Sequence, residues 1–168
     1  MRSYDWRMPE EKYRTIADHL SDYIYAYLPE YKKQGVAEGI PAENIIVTGN
    51  PIVDVIQEYF LSGKLRMDDS DLKKLLAEKY NLINSRFLVM TCHRRENVEN
   101  IAALQRILEL VSSTQLPVLF PAGYRTQKMI KHFNLNLPSN LILVDPIGYL
   151  ELLELLTASS GVLTDSGT

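Results

Sequence analysis

The sequence predicts an α/β fold in two parts, the second doubly wound with a parallel sheet and flanking helices. Three observations carry this. Beyond about residue 70, short apolar runs alternate with segments of helical period. Those runs, at residues 87–91, 118–120 and 141–144, are continuously apolar but for Thr91, as strands buried on both faces of a parallel sheet are. The polar stretch 62–70, Ser-Gly-Lys-Leu-Arg-Met-Asp-Asp-Ser, separates this region from an earlier one of mixed helices and short strands.

Each element follows from local chemistry. Pro9 suits the first turn of a helix, and Glu10 and Glu11 complement its positive end. Tyr13, Ile16, Ala17, Leu20, Tyr23 and Ile24 recur at spacings of three and four, which predicts one buried face. A short strand is expected over 23–27, then a polar helix over 29–37 stopped by Gly39. Residues 44–48 read as a strand closed by Gly49-Asn50-Pro51. Ile52, Val55, Ile56, Tyr59 and Phe60 mark an amphipathic connecting helix. After the linker, helices are expected around Leu72 to Tyr80, Ile101 to Val111, 125–133 and 148–157, with a last strand over 161–164. The domain division expected is therefore 1–51, a connector over 52–65, and 66–168. No internal repeat or low-complexity tract is visible. Residues 164–168, Thr-Asp-Ser-Gly-Thr, form the turn where another helix should begin, so the chain reads as an interior piece cut off at both ends.

Composition narrows the function classes. With 46% hydrophobic and 23% charged residues, the chain has the material for a packed core and not the composition of a disordered one. A net charge of −3 gives no basic footprint for nucleic acid. A lone cysteine, Cys92, precludes an intrachain disulfide and fits a reducing compartment. No apolar run approaches the roughly 18–20 residues that span a bilayer, and the polar start lacks a signal-peptide core. The expectation is a cytoplasmic protein with no membrane partner. No metal-ligand spacing, dinucleotide fingerprint or P-loop occurs, so no cofactor is expected.

In an open parallel sheet, ligands bind beyond the carboxyl ends of the strands. Three segments fall there: residues 92–97 (Cys-His-Arg-Arg-Glu-Asn), 145–149 (Asp-Pro-Ile-Gly-Tyr) and 164–168. The first places His93, Arg94 and Arg95 beside a helix start, whose free N–H groups favour anions; together they suit a diphosphate. Charge-assisted hydrogen bonds are worth ~1.5–3 kcal/mol each, so a few hold a nucleotide. The plainer alternative is a solvated loop in which Glu96 pairs with an arginine. Ser166 and Gly167 offer a hydroxyl and close backbone approach to phosphate oxygens, against the alternative of an ordinary turn. Ile147 and Leu152 flank a flat base or simply belong to the core. Glu10 and Glu11 are candidate acid–base groups or mere dipole partners, and His19 and His132 read as structural.

Taken together, MRSYDWRMPEEKYR, IIVTGNPIVDVI, TCHRREN, LVDPIGYLELLELL and the terminal TDSGT closely resemble the non-hydrolysing UDP-N-acetylglucosamine 2-epimerases, which have the GT-B fold. The motifs occur in the family's order along the whole chain, and the chain resembles a little under half of such an enzyme. The resemblance implies a GT-B-like architecture, with the end of the first domain before about residue 52 and the first half of the nucleotide-binding domain after about 66. It implies interconversion of UDP-GlcNAc and UDP-ManNAc by elimination of UDP to a 2-acetamidoglucal and readdition. Positioned carboxylates must move the C2 proton while cations stabilise the leaving diphosphate.

By the same resemblance, Glu10 corresponds to an active-site carboxylate, Arg14 to an arginine one turn along the same face, and His93 to the histidine near the diphosphate. Ser166, Gly167 and Thr168 correspond to phosphate-contacting positions, and Ile147 and Leu152 to the wall of the uracil pocket. Arg94 matches a position of the family's second, allosteric UDP-GlcNAc site, and Arg95 is its neighbour. Gly123 stands where many members carry a histidine of that site, which puts such regulation in question. Tyr13 also departs from a usual asparagine. A homodimer is expected for the full-length family, and a complementary chain is a candidate source of further carboxylates. On this reading the chain alone does not epimerise. Two competitors remain, the nucleotide-binding half of a GT-B glycosyltransferase and a non-catalytic remnant.

Overall fold

The computed structural model describes residues 4, 6, 8–82 and 86–166. Two compact units divide the chain, Met1–Lys64 and Leu65–Thr168.

In the first unit, α1 (Pro9–Leu20) is followed by β1 (Ile24–Ala26), α2 (Pro29–Ala37), a 3₁₀ turn, β2 (Ile45–Val47) and α3 (Pro51–Val55). The last helix widens into a π-helical turn over Ile56–Leu61. Strands β1 and β2 pair in parallel, Ile24 opposite Ile45 and Ala26 opposite Val47. Helix α2 packs tightly on this pair because residue 35 is glycine: a Cβ there would lie 2.7 Å from the Ile45 side chain. Gly39, at φ +92°, ends the segment in the left-handed region. Asn50 caps α3 by accepting the Ile52 N–H.

The buried face predicted for α1 is not found. Tyr13, Ile16 and Leu20 are 71%, 57% and 81% exposed, and Ala17 and Tyr23 are exposed too. The core of this unit is Ala26, Ile40 and Ile45, with Ile24 and Tyr31 packed against it. Spacing specifies which residues share a helical face; burial depends on what packs against it, and the core cluster of this unit contains no residue of α1. The connecting helix shows the same effect. Phe60 is buried and Ile56 half-buried, whereas Ile52, Val55 and Tyr59 are exposed.

In the second unit, α4 (Asp69–Tyr80), β3 (Leu88–Thr91), α5 (Arg95–Val98), α6 (Ile101–Ser113), β4 (Val118–Pro121), α7 (Tyr124–His132), β5 (Leu141–Val144), α8 (Tyr149–Ala158) and β6 (Val162–Thr164) alternate along the chain. The four strands form one parallel sheet in the order β5-β4-β3-β6. Two parallel sheets flanked by helices make this a GT-B-like α/β architecture built from Rossmann-type units. The apolar runs have a direct cause. Met90, Cys92, Val118 and Phe120 join one core cluster, while Phe87, Val89 and Leu119 join another with Tyr80, Leu82 and Leu155. Successive side chains point to opposite faces, and both faces are buried.

One buried charge secures the start of this unit. Glu154, on α8, is fully buried. Its carboxylate accepts from Arg66 Nε at 3.1 and 3.2 Å and from the Met67 N–H at 2.8 Å, fastening the residues after the linker to the last helix. Glu151, one turn earlier, accepts from Lys79 at 2.6 Å and from the Tyr80 hydroxyl, joining α8 to α4. Replacing Glu154 with alanine deprives the Met67 N–H of its acceptor inside the fold. Glu154→Ala is expected to lower the unfolding free energy by ~2–3 kcal/mol, and Glu154→Gln by less than half of that, as read by urea denaturation.

Candidate functional site

The strand order sets where a ligand can enter. From β3 the chain moves outward through β4 to β5, then returns to place β6 on the other side of β3. The direction of winding reverses between β3 and β6, and crevices open at such points beyond the carboxyl ends of the strands. Two of the predicted segments, 92–97 and 164–166, leave the sheet side by side here.

Asp165 joins them. Its carboxylate accepts the His93 N–H at 3.2 and 3.1 Å, the Arg94 N–H at 2.9 Å and the Asn97 side-chain amide at 3.1 Å. Its own N–H reaches the Thr91 carbonyl, and the Thr91 and Thr164 hydroxyls lie 2.9 Å apart across the register pair. The Ser166 N–H donates to Thr164 Oγ1 at 3.0 Å. The Thr126 hydroxyl donates to the Cys92 carbonyl at 3.0 Å, tying α7 to the same loop. An internal carboxylate thus takes the N–H groups of His93 and Arg94, the two residues just before α5, because Asp165 sits on the adjacent strand end.

The cationic side chains divide. His93 is 66% exposed, with Nδ1 3.5 Å from Asp165 Oδ1. Arg94 is partly exposed and lies 3.6 Å from Glu96, as the solvated-loop alternative anticipates. Arg95 turns to Glu99, one turn along, at 2.7 Å. Ser166 is half-buried; Gly167 and Thr168 lie outside the described residues. Ile147 and Leu152 are half-buried and pack against the core cluster of Tyr80, Phe87 and Leu155. Gly123 has φ −60°, and a Cβ built on it meets nothing within 4 Å, so neither backbone nor space demands glycine there.

Glu10 and Arg14 belong to the first unit. Glu10 is exposed. Arg14 pairs at 2.9 Å with Glu11, which is 1% exposed and also accepts the Tyr4 N–H at 3.2 Å. The sequence placed Arg14 on the face of Glu10, but the buried neighbour three residues back takes the guanidinium. Sequence reasoning missed Asp165 and Glu154 as organising groups. The first stood inside a quoted motif, and its signal was a lone carboxylate at a strand end opposite a cationic loop.

The electrostatics follow from these contacts. Burial raises the Asp165 carboxyl, but donation from Arg94, Asn97, His93 and the Cys92 thiol outweighs it, and the net position is below the ordinary value of 3.8. Cys92 moves the other way. Burial and the Asp165 charge push its thiol up to about 12.

With the geometry in place, the chain can be set beside known proteins. The model of the UDP-N-acetylglucosamine 2-epimerase family matches residues 1–168. The chain belongs to that family. It is 34% identical to the UDP-N-acetylglucosamine 2-epimerase of Methanocaldococcus jannaschii, over 99% of this chain and 46% of that protein. It is 33% identical to the UDP-2,3-diacetamido-2,3-dideoxy-D-glucuronate 2-epimerase of Pseudomonas aeruginosa, over 99% of this chain and 45% of that one. The crystal structure of the M. jannaschii UDP-GlcNAc 2-epimerase in complex with UDP-GlcNAc and UDP superposes with a TM-score of 0.82 at 32% identity, covering 99% of this chain and 46% of that chain. The chain thus spans about half the length of the relatives it matches. No helix among the described residues is long and apolar enough to cross a membrane.

Two outcomes are expected from this chemistry. Cys92 stays protonated at neutral pH, so iodoacetamide is expected to alkylate the native protein at least ~10-fold more slowly than the urea-unfolded chain. Because the folded Asp165 carboxyl lies below its unfolded value, its stabilisation is complete above about pH 4 and is lost as pH falls through the folded value. Urea midpoints measured from pH 5 down to pH 2 should fall more steeply for the wild type than for Asp165→Asn.

Proposed function

We propose that this chain supplies the nucleotide-binding rim and one acid–base carboxylate of an enzyme that inverts C2 of a UDP-N-acetylhexosamine, interconverting UDP-GlcNAc and UDP-ManNAc. On this reading residues 1–51 are the end of the first domain, 52–65 the connector, and 66–168 the first half of the nucleotide domain. The observation that carries it is the meeting of the His93–Asn97 loop with Asp165 at the point where the sheet reverses its winding, in a chain of this family.

The reaction must take a poorly acidic proton from C2 while the diphosphate leaves C1. Departure of UDP places negative charge on the diphosphate, and exposed cations at a strand-end crevice stabilise it as it develops. His93 and Arg94 are the groups assigned to that task, with Ser166, Gly167 and Thr168 meeting phosphate oxygens. Arg95, engaged by Glu99, is assigned a lesser share. The half-buried Ile147 and Leu152 are read as the apolar wall for uracil. Glu10, exposed at the start of α1, is read as a carboxylate that exchanges the C2 proton, with Arg14, which pairs with Glu11, one turn along the same helix. The sugar follows the M. jannaschii relative; the P. aeruginosa relative is named for another UDP-linked 2-acetamido sugar. A homodimer of the full-length enzyme is part of the same reading, as is a complementary chain that contributes further carboxylates.

The test is a titration of the ¹⁵N-labelled 168-residue chain with UDP. His93 ring and loop resonances are expected to shift saturably at millimolar UDP, and His93→Ala to weaken binding ~10-fold, the scale of one charge-assisted hydrogen bond. An unchanged spectrum at millimolar UDP sinks the proposal.

A further inference from the structure

We propose that Asp165 is a positioning residue that fixes the tautomer of His93, holding the proton on Nδ1 and leaving Nε2 as the nitrogen that faces the nucleotide. The inference deepens the reading of this site as a UDP site and rests on it for what Nε2 meets.

The geometry is asymmetric in a way that makes the assignment. Asp165 presents two oxygens. Oδ2 is taken up by the loop, accepting from the Arg94 N–H at 2.9 Å, the Asn97 amide at 3.1 Å and the His93 N–H at 3.1 Å. Oδ1 accepts the longer branch of the His93 N–H, at 3.2 Å, and is the oxygen that lies 3.5 Å from His93 Nδ1; the Cys92 thiol also donates to this carboxylate. An ionised carboxylate oxygen accepts and cannot donate, so the neutral ring it faces lowers its energy by placing its proton on Nδ1. At 3.5 Å the attraction is electrostatic; a small rotation of the exposed ring closes it to a hydrogen bond, as such pairs tighten when a ligand arrives. The same carboxylate therefore does two separable things. Through Oδ2 it shapes the loop, and through Oδ1 it sets which ring nitrogen is left open. When the ring takes up a proton, that proton goes to Nε2, and the imidazolium donates from Nε2 to an anionic oxygen while Nδ1–H remains directed at Asp165.

Asp165→Asn separates these roles. The amide oxygen can remain with the Arg94 and Asn97 donors, which puts the NH₂ group where Oδ1 was. A donor now faces His93, and the favoured neutral tautomer becomes the one protonated on Nε2. Long-range ¹H–¹⁵N spectra of the imidazole, recorded on the 168-residue chain without nucleotide and with the ring neutral, read this directly. The expected result is Nδ1–H in the wild type and Nε2–H in Asp165→Asn, accompanied by ~10-fold weaker UDP binding in the variant, the scale of one misdirected charge-assisted contact. Asn97→Ala supplies the structural control. It removes another hydrogen bond of the same carboxylate without touching Oδ1, and it is expected to keep the Nδ1–H tautomer. A wild-type ring protonated on Nε2, a tautomer unmoved in Asp165→Asn, or an equal switch in Asn97→Ala each overturns the proposal. The wild-type spectrum decides even if Asp165→Asn does not fold. Because the tautomer is read without nucleotide, a chain that shows Nδ1–H yet ignores UDP overturns the functional reading and leaves the role of Asp165 standing.

Discussion

The tie between Asp165 and the loop after β3 organises the rim of the second unit. Two strands that meet edge to edge diverge at their carboxyl ends, and the segments leaving them have no reason to stay together unless something holds them. Here a single carboxylate collects two backbone N–H groups and an amide from the neighbouring loop. It is ionised because those donors outweigh the burial that opposes its charge. The cost of placing a negative charge at this point is offset by neutralising N–H groups that would otherwise lack partners at a helix start. A preformed rim results: the loop conformation that presents His93 is set by the protein before any ligand adds its own charge.

This arrangement revises the simplest picture of anion binding at such a crevice. In many parallel α/β folds, the helix start itself receives the phosphate. In this chain Asp165 takes the N–H groups of His93 and Arg94, the two residues just before the short helix α5, and the side chains of the loop add to the potential at this rim. His93 and Arg94 are exposed enough to supply it, whereas Arg95 is drawn off by Glu99. The neighbouring thiol is silenced first by burial and then by the same carboxylate. A buried Cys92 beside a negative charge holds its proton and plays a packing role in the sheet.

The second unit also shows how burial of a charge can serve assembly of a fold. Glu154 lies where the helical pattern of α8 would accept a leucine, yet it carries three hydrogen bonds to residues nearly the whole unit away in sequence. An apolar residue there would pack, but it would leave the Met67 N–H with no acceptor. The charge specifies where the chain emerging from the linker must lie. Glu151 makes the analogous connection at the surface, where Lys79 and the Tyr80 hydroxyl share it and the tyrosine is driven above its ordinary value by burial and by that carboxylate.

The sequence alone determined the type and order of nearly every element, because periodicity and punctuation are local. The runs at 87–91, 118–120 and 141–144 became parallel strands of one sheet, and Pro29 and Gly39 bracketed α2. It also determined the family, since motifs in order along a chain are a sequence property. Tertiary structure decided which predicted faces were covered: Tyr13, Ile16 and Leu20 share a face that the two-stranded sheet does not bury. It decided the partners of charges as well. Arg14 went to Glu11, Asp165 took the N–H groups of His93 and Arg94, and Arg66 found Glu154 across 88 positions. Helical and strand preferences are written in neighbours a few residues apart, whereas a buried charge is satisfied by whatever the folded chain brings within about 3 Å, and no local pattern encodes that meeting.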